Sequence, residues 1–259
     1  MPVRAFATDS DLRAELLPAE LLPLFDGRFI ASCDLIEEYV FRLALKVARE
    51  TGFDRPLLQG GAAEEIARRA GLDSLTGAPL ADWLLRLLAE RGVIARSAGE
   101  PSVFQALEPL PDLNPTEIER AQAAHDPDAL PSFRLAALAA EGYPPVMRGE
   151  ASGEAVLFAA DRISAWSEYF SNHNPLYAIS NQIGARAVLA RFTHPRGAIL
   201  EIGGGAGSGA TALLDQFAAA GATARIEAYR FTELSPLFLR RGQRVLRSRP
   251  DAPGRISCG

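Results

Sequence analysis

The stretch Ala198-Ile-Leu-Glu-Ile-Gly-Gly-Gly-Ala-Gly-Ser-Gly-Ala210 constrains the fold of this chain most strongly. A short apolar run leads into an acid, then a glycine cluster, then a pattern that reads as helix. Gly203, Gly205, Gly207 and Gly209 fall at alternate positions. Glycine alone turns a backbone this sharply at positive φ and still lets it approach a ligand closely. Set between a strand and a helix, such a cluster marks the nucleotide-binding corner of a doubly wound α/β sheet.

The residues around the cluster supply that context. Ala198–Ile202 reads as a buried strand, Ser208–Ala220 as a helix and Ala224–Phe231 as a second strand. A further helix starts at Ser235-Pro236 and runs through Leu246, and Arg255–Cys258 begins a third strand. Strands alternating with helices imply a parallel sheet. The expected fold is therefore α/β, a Rossmann-like parallel sheet, C-terminally incomplete. A mainly helical, winged-helix-like N-terminal region precedes it. The expected domains are residues 1–110 (helical and winged-helix-like), 111–194 (helical connector and lid) and 195–259 (the first half of the Rossmann-like domain).

Upstream, residues 10–52 read as helical, with an apolar face through Leu16, Leu17, Leu21, Leu22 and Phe25 and a stop at Gly52. Residues 61–110 suggest a winged helix. Helices at Ala62–Ala70 and Pro79–Glu90 end at Gly71 and Gly92, and strands at Val93–Arg96 and Val103–Leu107 flank a hairpin tip. A structural or dimerising module is the favoured reading over DNA binding. The second helix carries only Arg86 and Arg91 among many leucines, whereas a recognition helix offers several groups to bases and phosphates. Residues 108–145 are punctuated by prolines, with helices expected at 115–124 and 131–141 and an Asn114-Pro115 cap. In the helical stretch 150–194, Trp166, Tyr169 and Phe170 share one face, broken afterwards by Asn172-His-Asn-Pro175. Leu176 to Phe192 resumes the pattern with Ile179, Ile183, Val188 and Leu189.

Composition narrows the function classes. Of 259 residues, 48% are hydrophobic, enough for a sizeable core. A net charge of −5 argues against a nucleic-acid partner. Two cysteines, Cys33 and Cys258, and three scattered histidines offer neither a disulfide framework nor a metal site. The N-terminal residues lack an apolar signal core, and no apolar run approaches the ~18 residues needed to span a bilayer. A cytoplasmic protein without membrane partners is expected.

At the corner itself, two acids decide the ligand. Glu233, at the end of the second strand, is placed to accept hydrogen bonds from two ribose hydroxyls. Glu201 stands two residues before the first glycine. A dinucleotide's pyrophosphate would be repelled there, although a Gly-x-Gly-x-x-Ala spacing from Gly205 to Ala210 keeps an NAD(P)-dependent oxidoreductase open as an alternative. A carboxylate suits a cationic ligand instead. S-adenosylmethionine carries a sulfonium and an ammonium and no phosphate. The plain alternative for Glu201 is an acid that hydrogen-bonds a loop or helix terminus. A winged-helix regulator with a ligand-sensing domain is the remaining alternative, and it would need a basic second helix.

These residues resemble a known family. Leu200-Glu-Ile-Gly-Gly-Gly-Ala-Gly207 is similar to motif I of class I S-adenosylmethionine-dependent methyltransferases. Tyr229-Arg-Phe-Thr-Glu-Leu-Ser-Pro-Leu-Phe238 resembles the following motif in the C-methyltransferase domains of polyketide synthases, with Glu233 where Asp is usual. Val146–Glu150, Leu157-Phe158 and the segment Trp166–Phe170 are similar to the helical lid of that subgroup. The N-terminal part is reminiscent of the dimerising module of small-molecule O-methyltransferases. The resemblance implies a methyltransferase of natural-product biosynthesis, acting on carbon or oxygen of a small-molecule or carrier-bound substrate. It places Glu201 at the methionine end of the cofactor, Gly203, Gly205 and Gly207 beneath it, Glu233 on the ribose, and Leu234 and Ser235 near the adenine and ribose edge. Tyr169 and Asn172 become pocket candidates. The family's sheet has about seven strands. Its adenine-contacting acid and the subgroup's His/Glu base are therefore expected beyond residue 259, and no catalytic residue is named. A truncated chain is the favoured explanation, over a subunit completed by a partner chain and a degenerate protein, and a homodimer remains open as a further partner.

Overall fold

The computed structural model describes residues 19–249 and 256–258. Leu16, Leu17, Arg255 and the N-terminal residues read above lie outside them. Backbone packing divides the chain into two units, Ser32–Trp166 and Ser167–Gly259 with Met1–Ala31.

Most of the first unit is helical. Helix α1 (Gly27–Glu50) buries Tyr39, Phe41, Leu43–Leu45, Val47 and Ala48, positions that take up most of its circumference in its C-terminal half. Its Tyr39 ring lies 4.8 Å from that of Phe133. The described part of the helical stretch expected over 10–52 is interrupted. A 3-10 turn at Ala19–Leu24, with Pro23 inside it, precedes α1, because proline removes the donor that an α-turn needs. Gly52, at φ +80°, closes α1 as expected.

Helices α2 (Asp54–Gln59), α3 (Ala63–Arg69) and α4 (Gly77–Glu90) follow, with the two-residue strand β1 (Gly61–Ala62) between α2 and α3. Strands β2 (Ala95–Arg96) and β3 (Val103–Gln105) complete a small antiparallel sheet in the order β1-β3-β2. Phe104 on β3 is fully buried. This is the expected winged-helix-like arrangement. Both arginines of the second helix are engaged internally: Arg86 pairs with Asp82 at 2.6 Å, and Arg91 lies over the Phe41 ring at 5.2 Å.

Asn114 caps α5 (Pro115–His125) by accepting from the Thr116 N–H, as the sequence predicts. Helix α6 (Leu130–Met147) extends six residues past its expected end and takes Pro144 and Pro145 into its last turn. Tertiary packing accounts for the extension. A Cβ on Gly142 would overlap the Val156 side chain of α7 (Gly153–Leu157), so the two helices meet there at close range. Trp166, in α8 (Ile163–Tyr169), stacks on Phe158 at 5.2 Å. Tyr169 and Phe170 pack against Tyr177, and Phe170 lies just past the end of α8.

The second unit holds the parallel sheet. Helix α9 (Pro175–Arg191) buries Ala178, Ile179 and Ala185, whereas Val188 is exposed. Strand β4 (Gly197–Glu201) leads into α10 (Ser208–Ala219), strand β5 (Ile226–Phe231) into α11 (Pro236–Arg247), and β6 (Ile256–Cys258) closes the described sheet. The order is β4-β5-β6, all parallel, with Glu201 opposite Phe231 and Phe231 opposite Cys258. Leu213, Leu214 and Phe217 of α10, Tyr229 and Phe231 of β5, and Leu246 of α11 form the core.

The strand expected to be buried is not. Leu200 is 59% exposed. Among the described residues β4 pairs only with β5 and stands at the sheet's edge. No helix among the described residues is long and apolar enough to cross a membrane.

Candidate functional site

The glycine loop sits between the end of β4 and the start of α10, as its sequence demands. Gly203, Gly205 and Gly207 have φ of +71°, +55° and +88°, the left-handed region that side chains avoid. Gly209 departs from the expected series. It lies inside the first turn of α10 without positive φ. Its missing side chain matters for another reason, since a Cβ there would stand 2.9 Å from Glu201 Oε1.

Backbone bonds stitch the loop to β5. The Thr232 N–H donates to the Glu201 carbonyl at 3.0 Å, and the Gly204 N–H donates to the Thr232 carbonyl at 2.9 Å. The Gly207 N–H donates to the Gly204 carbonyl at 3.0 Å. Below the loop lies the fully buried Phe231 ring, with Gly204 and Gly242 against its atoms.

Two carboxylates bracket the loop. Glu201 is half-buried and accepts from the Tyr229 hydroxyl at 2.9 Å and from the Ala210 backbone N–H. Burial pushes its pKa up, and these two hydrogen bonds partly offset that shift. The same burial, with the Glu201 charge beside it, pushes the Tyr229 phenol up as well. The bond to Ala210 means that Glu201 does serve a helix terminus, the plain role its sequence position left open. Glu233 accepts from the Gly205 N–H through Oε2 and from the Ser235 N–H through Oε1, each at 2.8 Å. Leu234 next to it is 99% exposed and Ile202 is 82% exposed, so two apolar side chains stand uncovered at this corner. Ser235 is the N-cap residue of α11 and makes no side-chain capping bond.

Asn172 belongs to the same neighbourhood. Its Nδ2 donates to the Ser208 carbonyl at 2.9 Å, and its Oδ1 accepts from Asn181 at 2.8 Å. The Ser208 hydroxyl bonds the Phe170 carbonyl. Tyr169 stands further out, its ring 5.4 Å from that of Tyr177. Burial raises the Tyr177 phenol, a bond to Asn181 opposes the rise, and the Tyr169 and Glu201 charges add to it.

The structure thus brings Glu201, the glycines, Glu233, Ser235 and Asn172 together around the start of α10, with Leu234 beside Glu233 and Tyr169 linked through Tyr177. Sequence reading missed Tyr229, Asn181 and Tyr177. Tyr229 was detectable only through strand register. It lies opposite Ile199, so it shares a sheet face with Glu201 two residues on. Among the described residues there is no cluster of His, Cys, Asp or Glu that could hold a metal.

The described residues thus form a winged-helix-like helical unit and a parallel α/β unit with a glycine corner. Solved structures share this fold. The chain is similar to the CurJ carbon methyltransferase, at TM-score 0.73 and 19% identity, over 96% of this chain and 65% of that one. It is similar to the DszA carbon methyltransferase, at TM-score 0.66 and 21% identity, over 99% and 66%. The CMeT domain of the citrinin polyketide synthase matches at TM-score 0.60 and 15% identity, over 92% and 66%. The chain therefore spans about two thirds of the length of the structures it matches, and at these identities the likeness shows the fold. No protein-family model and no curated protein matches the sequence.

Proposed function

We propose that this chain binds S-adenosylmethionine and serves methyl transfer to carbon or oxygen of a small-molecule or carrier-bound, polyketide-type intermediate in natural-product biosynthesis. One observation carries the choice of cofactor. The loop N–H groups of Gly204, Gly205 and Gly207 all donate inward, to Thr232, Glu233 and Gly204. A pyrophosphate needs such donors free at a helix N-terminus. These three loop donors are spent, and two carboxylates stand beside them. That donor set suits a ligand with cationic groups and hydroxyls, and disfavours a dinucleotide.

The residues present fit such a ligand. Glu201 offers a carboxylate to the ammonium of the methionine end. Each oxygen of Glu233 accepts one backbone N–H and keeps capacity for a ribose hydroxyl, since an ionised carboxylate has about four acceptor positions. Exposed Leu234 and Ile202 offer apolar surface for an adenine ring. When bound, the cofactor supplies a methyl group on sulfonium, open to in-line displacement by a nucleophile. The chain's own contribution is to bind and orient, through Glu201, Glu233 and the loop.

Calorimetric titration with S-adenosylhomocysteine, with NAD as control, tests this reading. Binding of S-adenosylhomocysteine alone is expected. Binding of NAD alone, or of neither, overturns it.

A further inference from the structure

We propose that Tyr229 is a positioning residue for Glu201: its phenol holds the carboxylate in place at the corner and so sets how that carboxylate meets the cationic end of the cofactor. This rests on the reading above and adds a residue to it. Three features converge on Glu201. The Tyr229 hydroxyl donates to Oε2 at 2.9 Å, the Ala210 N–H donates from the first turn of α10, and the absence of a side chain at Gly209 leaves room beside Oε1. Tyr229 itself is 2% exposed, on the central strand of the described sheet. A buried phenol of this kind needs a partner for its hydroxyl, and Glu201 is that partner. The rigidity of β5 passes through this bond to a side chain that otherwise ends on the flexible methylenes of a glutamate.

The groups facing Glu201 are Tyr229 on β5, Tyr177 and the uncharged Asn181 on α9, and the N–H of Ala210 on α10. Among the described residues its titration is shifted by burial, the Tyr229 hydroxyl and the Ala210 N–H, not by a lysine, arginine or histidine. Its charge therefore depends on burial, which favours the neutral acid, against two hydrogen bonds, which favour the carboxylate. Removing the phenol's hydroxyl strengthens the neutral side of that balance. The Glu201 midpoint then rises, and the carboxylate is lost at a higher pH than in the wild type.

The test compares wild type, Tyr229→Phe and Glu201→Gln by titration with S-adenosylhomocysteine across acid to neutral pH. The Glu201 carboxyl midpoint is read separately, by carbon NMR of glutamate-labelled chain without ligand. Tyr229→Phe keeps the buried ring, and circular dichroism confirms its fold. The expected result is a Glu201 midpoint raised by about one pH unit. The acid limb of binding moves with it, and neutral-pH affinity falls about fivefold. In Glu201→Gln the acid limb disappears. An unshifted midpoint in Tyr229→Phe overturns the proposal, and so does a shifted midpoint with unaltered binding. A wild-type chain that does not bind S-adenosylhomocysteine removes the functional reading itself, which the wild-type titration alone reveals.

Discussion

Two kinds of glycine at the corner should fail in different ways, and Gly204→Ala and Gly203→Ala separate them. A Cβ at Gly204 would lie 2.7 Å from Cζ and 2.8 Å from Cδ2 of Phe231. The ring cannot retreat toward α11, because Gly242 closes on its Cε1 from that side, where a Cβ would come within 2.6 Å. Phe231 is fully buried in the core of the sheet. Alanine at 204 is thus an overpacking substitution in a rigid setting and should cost about 2–3 kcal/mol. Gly204 has no positive φ, so none of that cost is conformational. Gly203→Ala is the opposite case. Nothing lies within 4 Å of its Cβ, but its φ is +71°, and the left-handed backbone alone should cost about 1–2 kcal/mol.

Urea unfolding followed by circular dichroism measures both, read as midpoint shifts at constant slope. Repeating them in a Phe231→Leu background tests the cause. The smaller side chain should remove more than about 1 kcal/mol of the Gly204→Ala penalty through coupling between contacting residues. The Gly203→Ala penalty should stay as it was. A Gly204→Ala penalty under about 0.5 kcal/mol, or one that Phe231→Leu leaves intact, refutes the steric argument.

Other outcomes follow from the same geometry. Glu233→Ala should weaken S-adenosylhomocysteine binding by about tenfold to a hundredfold in calorimetry, since it removes a charged acceptor and frees the Gly205 N–H; an unchanged affinity would contradict its ribose role. Gly209→Ala should lower that affinity more than it lowers the melting temperature, because the new methyl displaces Glu201 Oε1 while alanine's helix preference offsets part of the lost structural bonds. A fall in melting temperature with intact binding would show the reverse. Glu201 has a folded pKa above its ordinary 4.5, so its contribution to stability is greatest in acid and declines as pH rises from 4.5 through the folded value. The melting temperature of Glu201→Gln relative to wild type should therefore climb across that window, and a flat difference would show that the carboxylate is not buried as described.

What the sequence disclosed here was local. The glycine corner, the alternation of strand and helix from Gly197 and the Asn114 cap each depend on residues close together in the chain, where backbone chemistry decides the outcome. Glu233 was also legible, because the end of a second strand has a fixed relation to the loop after the first. Elements set by packing were not. The α6 helix runs through Pro144 and Pro145 and packs Gly142 close to Val156, and proline punctuation says nothing about that. Strand β4 reads as buried from its apolar residues, yet its exposure follows from its place in the sheet order. The Tyr229–Glu201 bond depends on which residues of two strands lie opposite one another.

A structural role for Glu201 explains why a carboxylate is tolerable at a half-buried loop. Helix α10 begins at Gly207, which has no side chain to cap it. The first-turn N–H groups of a helix need acceptors, and the positive end of its dipole favours an anion. Glu201, arriving from the end of β4, takes the Ala210 N–H and supplies the missing cap. Gly207 is in turn required because a Cβ there would come within 3.1 Å of the Gly242 backbone on α11, in a left-handed turn besides. The helix gives up its own cap so that the two helices can approach, and the strand's acid replaces it. A carboxylate held for that structural reason is already oriented and partly desolvated at the corner, which are properties that a site for a cationic ligand requires.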